Sequence, residues 1–177
     1  MSRVIAAVRS FSQLKSALSS NVSTVFCLAP NINTLREAAE LTHNRGKKIF
    51  IHIDMAEGLG KDKYGIKFAK DAGIDGIIST RANMIKAAKS IGLSTVQRFF
   101  IIDAQSVHTA VETSLSTKPD MIEVMPGIAT KVIKEIKKNI DISIIAGGLI
   151  ETEEEAAAAE LGGADAISTS CETLWNI

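Results

Sequence analysis

The chain alternates between two hydrophobic periods. Short runs rich in Ile, Val and Phe recur at Val4 to Val8, Thr24 to Leu28, Lys48 to Asp54, Gly76 to Ser79, Thr95 to Ile101, Met121 to Met125, Ile142 to Ala146 and Ala166 to Thr169. Runs this short and this rich in β-branched residues predict strands, starting roughly 18 to 28 residues apart. The segments between them have apolar residues at helical spacing and helix signals at their ends. Asn33 is placed to cap TLREAAELTHN and Gly46 to end it, while Gly73 and Gly92 end KYGIKFAKDAG and ANMIKAAKSIG. Asp103 stands where a cap should precede AQSVHTAVETSL, and Thr152 with Glu155 forms a T-x-x-E capping box.

Strands and helices that alternate through short loops imply parallel strands and right-handed crossovers. Eight such units predict an α/β fold, a compact closed (β/α)8 TIM-type barrel in a single domain over residues 1–177. An open doubly wound sheet is the alternative, but it has about five to seven strands and a switch point, and eight near-regular units favour closure. The chain is short for a barrel, whose usual lower end is about 200 residues. After the last strand only CETLWNI remains, so the last outer helix is truncated. Trp175, the only tryptophan, lies in this tail. It either meets a second copy in a homodimer or folds back over the barrel's own thinly covered flank. The likeness of GIDGIIST (73–80) to GADAIST (163–169) is what a duplicated half-barrel would leave.

Charge changes the picture little. Lys plus Arg and Asp plus Glu both number 20, so net charge is zero, and nucleic-acid binding would have to rest on a local face. Cys27 and Cys171 have neither metal nor disulfide-framework spacing, which makes a reducing, cytoplasmic setting the expectation. The start MSRVIAAVRSFSQ is too weakly apolar for a signal peptide, and no apolar run approaches the ~18 residues of a membrane span.

The strand ends carry the chemistry. In a β/α barrel the loops after the strands form the active face, and a phosphate site commonly follows strands seven and eight. Gly147 and Gly148 follow strand seven; Ser168, Thr169 and Ser170 end strand eight. Glycines let bare amides approach an anion, hydroxyls add donors, and a helix N-terminus beyond adds partial positive charge. The pattern suits a phosphate monoester.

Other strand ends hold His52 and Asp54, two apart and so on one face, with Glu57 in the following loop. Arg81 follows strand four, Gln97 and Arg98 sit in strand five, and Glu123 in strand six. Polar groups inside apolar strands are costly unless paired or used. Arg98 and Glu123 on neighbouring strands could form a structural ion pair. Alternatively, His52, Asp54, Glu57, Gln97 and Glu123 would bind a small polyol, with Arg98 or Arg81 balancing charge. No strand ends in a Schiff-base lysine, Lys61 lies out in the third loop, and His43 and His108 fall in helices away from His52. No catalytic or metal-ligating residue is assigned. An isomerase- or aldolase-like barrel enzyme, with Glu57 and Glu123 as acid and base, is the alternative.

The blocks FCLAPNI, FIHIDMAEGL, DGIISTR, VQRFFIID, PDMIEVMPG, IIAGGLI and AISTSCETLW together resemble the glycerol-uptake-operon antiterminator regulators. The resemblance runs from about Val25 to Trp175. It implies a non-enzymatic barrel in glycerol metabolism that binds glycerol 3-phosphate and acts on leader mRNA, preventing premature transcription termination. It carries ligand contacts over to Gly147, Gly148, Ser168, Thr169, Asp54, Glu57, Arg98 and Glu123. No signature RNA-binding motif is present. Lys131, Lys134 and Lys138 on the helix after strand six, and Lys63, Lys67 and Lys70 on the helix after strand three, form two faces that could meet RNA phosphates. The loop EGLGKDKYG, with three glycines, is the expected moving part of a ligand-biased switch.

Overall fold

Eight parallel strands close on one another in chain order, and β8 returns to pair with β1. The computed structural model describes residues 3–177. The strands are β1 (Val4–Val8), β2 (Thr24–Cys27), β3 (Lys48–His52), β4 (Gly76–Ser79), β5 (Ser94–Phe100), β6 (Met121–Met125), β7 (Ser143–Gly147) and β8 (Ala166–Thr169). The helices between them are α1 (Phe11–Ser19), α2 (Leu35–His43), α3 (Lys63–Asp71), α4 (Ala82–Ser90), α5 (Ala104–Thr117), α6 (Thr130–Lys137) and α7 (Glu153–Leu161). This is the closed (β/α)8 barrel that the alternation predicts, and it excludes the open sheet.

Two of the expected caps form as read. Asp103 accepts from the Ser106 amide at 2.8 Å, and Thr152 accepts from the Glu155 amide at 3.2 Å while Glu155 returns the bond. The start of α2 differs. Thr34 is its cap and makes no capping bond; its hydroxyl donates instead to the Asn31 carbonyl at 3.3 Å, and the Asn33 amide donates to Asn31 Oδ1 at 2.9 Å, which holds a turn before the helix. The third strand also ends earlier than expected. After His52 the chain enters a 3-10 turn, Ile53–Met55, so Asp54 leaves the face that His52 occupies.

The barrel interior is layered by the two-residue alternation of the strands. Ile5, Phe26, Phe50, Ile78, Val96 and Ile145 form one buried cluster that plugs the barrel. Two residues beyond Ile5, Phe26, Phe50 and Val96, and beyond Met121 and Ala166 that pack against this cluster, come Ala7, Leu28, His52, Arg98, Glu123 and Ser168, nearer the strand C-termini. The floor of the mouth is therefore polar above an apolar plug. Outward-facing residues pack under the helices in two further clusters.

The tail corrects the reading of Trp175 as a dimer contact. A short 3-10 helix, Glu172–Asn176, follows β8 in place of an eighth helix. Trp175 is 1% exposed and joins the cluster under α1 to α4, while Leu174 joins the cluster under α5 to α7. The Trp175 indole N–H donates to the Thr169 carbonyl at 2.9 Å. Asn21 donates twice to Asn176, at 3.1 and 3.2 Å. Two large apolar side chains thus seal the seam that a missing helix would leave open.

The internal repeat has a physical meaning at the opposite, N-terminal rim. Asp75 and Asp165, just before β4 and β8, accept from the amides of Ile49 and Ile144 in the preceding strands, each at 2.8 Å. Asp120, before β6, does the same for Thr95 at 2.8 Å. Evenly spaced carboxylates staple β4, β6 and β8 each to the strand before it.

Candidate functional site

A cleft of about 390 Å³ opens at the C-terminal end of the barrel, between the loops after β1, β6, β7 and β8. Its walls include Arg9, Arg98, Glu123, Gly148, Ser168 and Ser170. The volume falls within the ~300–1,000 Å³ common for small-molecule sites.

At its floor, Glu123 is saturated. Its Oε2 accepts from Arg98 Nε at 2.6 Å and its Oε1 from Ser168 Oγ at 2.5 Å. Arg98 and Glu123 side chains are 7% and 1% exposed. The buried carboxylate thus has its charge matched and both oxygens bonded, as burial of a charge demands. The Arg98 Nη groups make no bond within the described residues and face the cleft. The ion pair that strand adjacency predicted therefore exists, and it leaves half of the guanidinium available.

Gly147 is required by this carboxylate. A Cβ there would stand 2.4 Å from Glu123 Oε1 and 2.9 Å from Ser168 Oγ. The first glycine of the pair therefore admits the buried network. The second shapes the loop: Gly148 has φ +77, followed by Leu149 at φ +61, a conformation rare for a branched side chain. The amides of Gly148, Leu149 and Ser170 donate no hydrogen bond among the described residues. Bare donors therefore line the part of the cleft where a phosphate was expected.

Two features of that expectation change. The Thr169 hydroxyl donates to the Ile150 carbonyl at 2.7 Å and accepts from the Cys171 amide at 3.0 Å, so it braces the two loops. The start of α7 carries Glu153, Glu154 and Glu155, and its own capping box occupies the Glu155 amide. Three carboxylates cancel the partial positive charge that a helix start would lend an anion.

The residues expected to bind a polyol do not all meet in the cleft. Gln97 is corrected outright: it neighbours Arg98 in β5, so it faces the other way, and its Oε1 accepts from Thr117 of α5 at 2.6 Å. Asp54 accepts from Ser79 Oγ at 2.9 Å and from the Thr80 amide at 2.8 Å, tying the turn after β3 to the end of β4. Arg81 lies 3.8 Å from the same carboxylate and is half exposed on that side. Glu57 accepts from Asn31 at 2.9 Å on the rim between β2 and β3. None of these four lines the cleft.

His52 is 5% exposed, and its Nδ1 is buried without a hydrogen-bond partner, 3.9 Å from Asp54 Oδ2. Burial, followed by the charge of Arg98, pushes its pKa down to about 4, against a smaller opposing pull from Asp54. The imidazole is neutral at physiological pH. Lys61 is bonded to the carbonyls of Ala56 and Leu59, so its amine is held in the loop. That loop is also tied down: Asp62 caps α3, and a Cβ on Gly65 would stand 1.9 Å from the Gly60 carbonyl oxygen. Its glycines serve close packing as well as any movement.

Sequence reading missed Arg9. It follows VIAAV at the end of β1 and lines the cleft, and the signal was its position as the first charged residue after an apolar run.

Comparison with known proteins identifies the family. The model described as glycerol-3-phosphate responsive antiterminator matches residues 4–175. The chain belongs to the glycerol-3-phosphate responsive antiterminator family. It is similar to the glycerol uptake operon antiterminator regulatory protein from Listeria monocytogenes str. 4b F2365, at 33% identity and TM-score 0.92, covering 97% of this chain and 94% of that one. A glycerol uptake operon antiterminator-related protein from Thermotoga maritima MSB8 has 36% identity and TM-score 0.86, covering 97% and 96%. The Escherichia coli (strain K12) protein YgcP is 37% identical over 175 residues, covering 98% of this chain and 92% of that protein. Among the described residues of this antiterminator-family chain, no helix is long and apolar enough to cross a membrane.

Proposed function

We propose that the chain is a cytoplasmic regulator that binds glycerol 3-phosphate at the barrel mouth. In that role it acts on leader mRNA of glycerol-utilisation genes to prevent premature termination. It is regulatory rather than catalytic. One observation supports this most: the carboxylates and the lysine that would move protons or attack a carbonyl are engaged, while donors for an anion are free. Glu123, Asp54, Glu57 and Lys61 are all held by neighbours. The Arg98 Nη groups and the amides of Gly148, Leu149 and Ser170 remain available. A phosphate would sit against those amides and the Arg98 Nη groups, with the short polyol extending across the cleft.

For the RNA, α6 is the better of the two lysine faces. Lys131 and Lys134 are exposed without an ion pair among the described residues, and Lys138 pairs only with Glu135 at 3.3 Å. On α3, Lys67 is paired with Asp71 at 2.9 Å and Lys70 donates to the Ile91 carbonyl. A homodimer would present the α6 face twice and raise avidity.

The test is a gel shift with leader RNA at several salt concentrations, with and without glycerol 3-phosphate, alongside a turnover assay on the same preparation. Ligand-dependent, salt-sensitive RNA binding without consumption of glycerol 3-phosphate is expected. Conversion of the ligand to product would replace this reading with the enzymatic one.

A further inference from the structure

We infer that Arg9 is the second anion-gripping cation of the mouth, taking a phosphoryl oxygen opposite Arg98. The inference rests on reading the mouth as an anion site and adds a second cation to its wall.

The argument begins with charge. Arg98 and Glu123 cancel one another at the floor. A phosphate monoester carries about −1.5 to −2 at neutral pH, which a neutralised pair and a few amides do not match. Arg9 is the one other cation on the cleft wall, and it makes no ion pair among the described residues. Among the described residues, the only carboxylate lining the cleft besides Glu123 is Glu151, in the loop after β7.

Position comes next. In a closed sheet of eight strands taken in order, β1 and β5 stand on opposite sides, so Arg9 and Arg98 approach from opposite walls. The backbone at Arg9 is fixed: its amide donates to Gln13 Oε1 at 2.8 Å, while Ser10 Oγ accepts from the Gln13 amide at 3.2 Å. This reciprocal cap at the start of α1 sets where the Arg9 side chain departs. The fields of both guanidiniums also reach His52, and each disfavours its protonation. Both cations therefore act on the end of β3, where Asp54 is the opposing charge. Guanidinium forks from two sides match the oxygens of a phosphoryl group better than those of an uncharged polyol. The ligand class that results is a phosphate monoester on a short polyol, held at its charged end by Arg9 and Arg98.

Calorimetric titration of wild type, Arg9→Gln and Lys15→Gln with glycerol 3-phosphate and with inorganic phosphate tests this. Lys15 is exposed on α1, the helix that follows Arg9, and serves as the charge control. Wild type and Lys15→Gln should bind both probes, and Arg9→Gln should bind both at least tenfold more weakly with an unchanged unfolding midpoint. If Arg9→Gln binds both as wild type does, the inference is overturned and the proposed function stands. If wild type binds inorganic phosphate through Arg9 but not glycerol 3-phosphate, the proposed ligand falls and the Arg9 assignment stands. If wild type binds neither probe, both fall.

Discussion

Gly147 and Glu123 are packed so closely that no side chain fits between them: a Cβ on the glycine would lie 2.4 Å from the carboxylate Oε1. The contact explains why β7 ends without a side chain. It also makes a stability experiment informative about the site. Gly147→Ala must push Glu123 away from Ser168 or move the strand, and overpacking of this kind costs about 1–3 kcal/mol. Urea unfolding should show the loss as a lower midpoint at unchanged slope.

Removing the Glu123 charge should cost more. Glu123→Gln leaves the Arg98 guanidinium buried beside an uncharged amide, and breaking a buried pair in this way costs about 3–5 kcal/mol. For a chain of this length that is a fall in unfolding midpoint of roughly 6 to 20 °C, read by calorimetry.

His52 gives a pH prediction with a definite sign. Its folded pKa is about 4 against an ordinary 6.5, because burial and Arg98 disfavour the charged ring. In the unfolded chain it takes up a proton first, so the unfolded state binds more protons between those two values. Stability therefore rises with pH from about 4 to about 6.5 and is flat for this group above that. The full difference is up to about 3 kcal/mol. His52→Gln should flatten that part of a stability-against-pH curve relative to wild type.

The strand pattern was legible because each of the eight strands is a short β-rich run closed off by turn or cap residues. Asp103 and the Thr152–Glu155 box were legible because a cap is a local event. The site was harder to read. Adjacent residues of a strand face opposite ways, so Gln97 and Arg98 could not both reach the mouth, and sequence did not say which one did. Asp54 was placed on the face of His52 because nothing in KIFIHIDM marks where the strand gives way to a 3-10 turn. Arg9 was overlooked because a single charge after an apolar run also reads as an ordinary strand end. The fate of Trp175 depended on tertiary packing across the β8–β1 seam, far apart in sequence.

That seam offers its own test. Trp175→Ala removes a side chain that is 1% exposed, along with its bond to the Thr169 carbonyl, and should cost about 3–5 kcal/mol. As the single tryptophan, it should emit as a buried indole. Because Thr169 lines the cleft, its emission should change when glycerol 3-phosphate binds.

A crystal structure grown with glycerol 3-phosphate tests the central claim most directly. The phosphate should lie in the barrel mouth, within hydrogen-bond reach of the Gly148 or Ser170 amide and of Arg98. A phosphate seated instead in the 440 Å³ groove between α1 and α2, or against the α6 lysines with the mouth empty, would contradict the account.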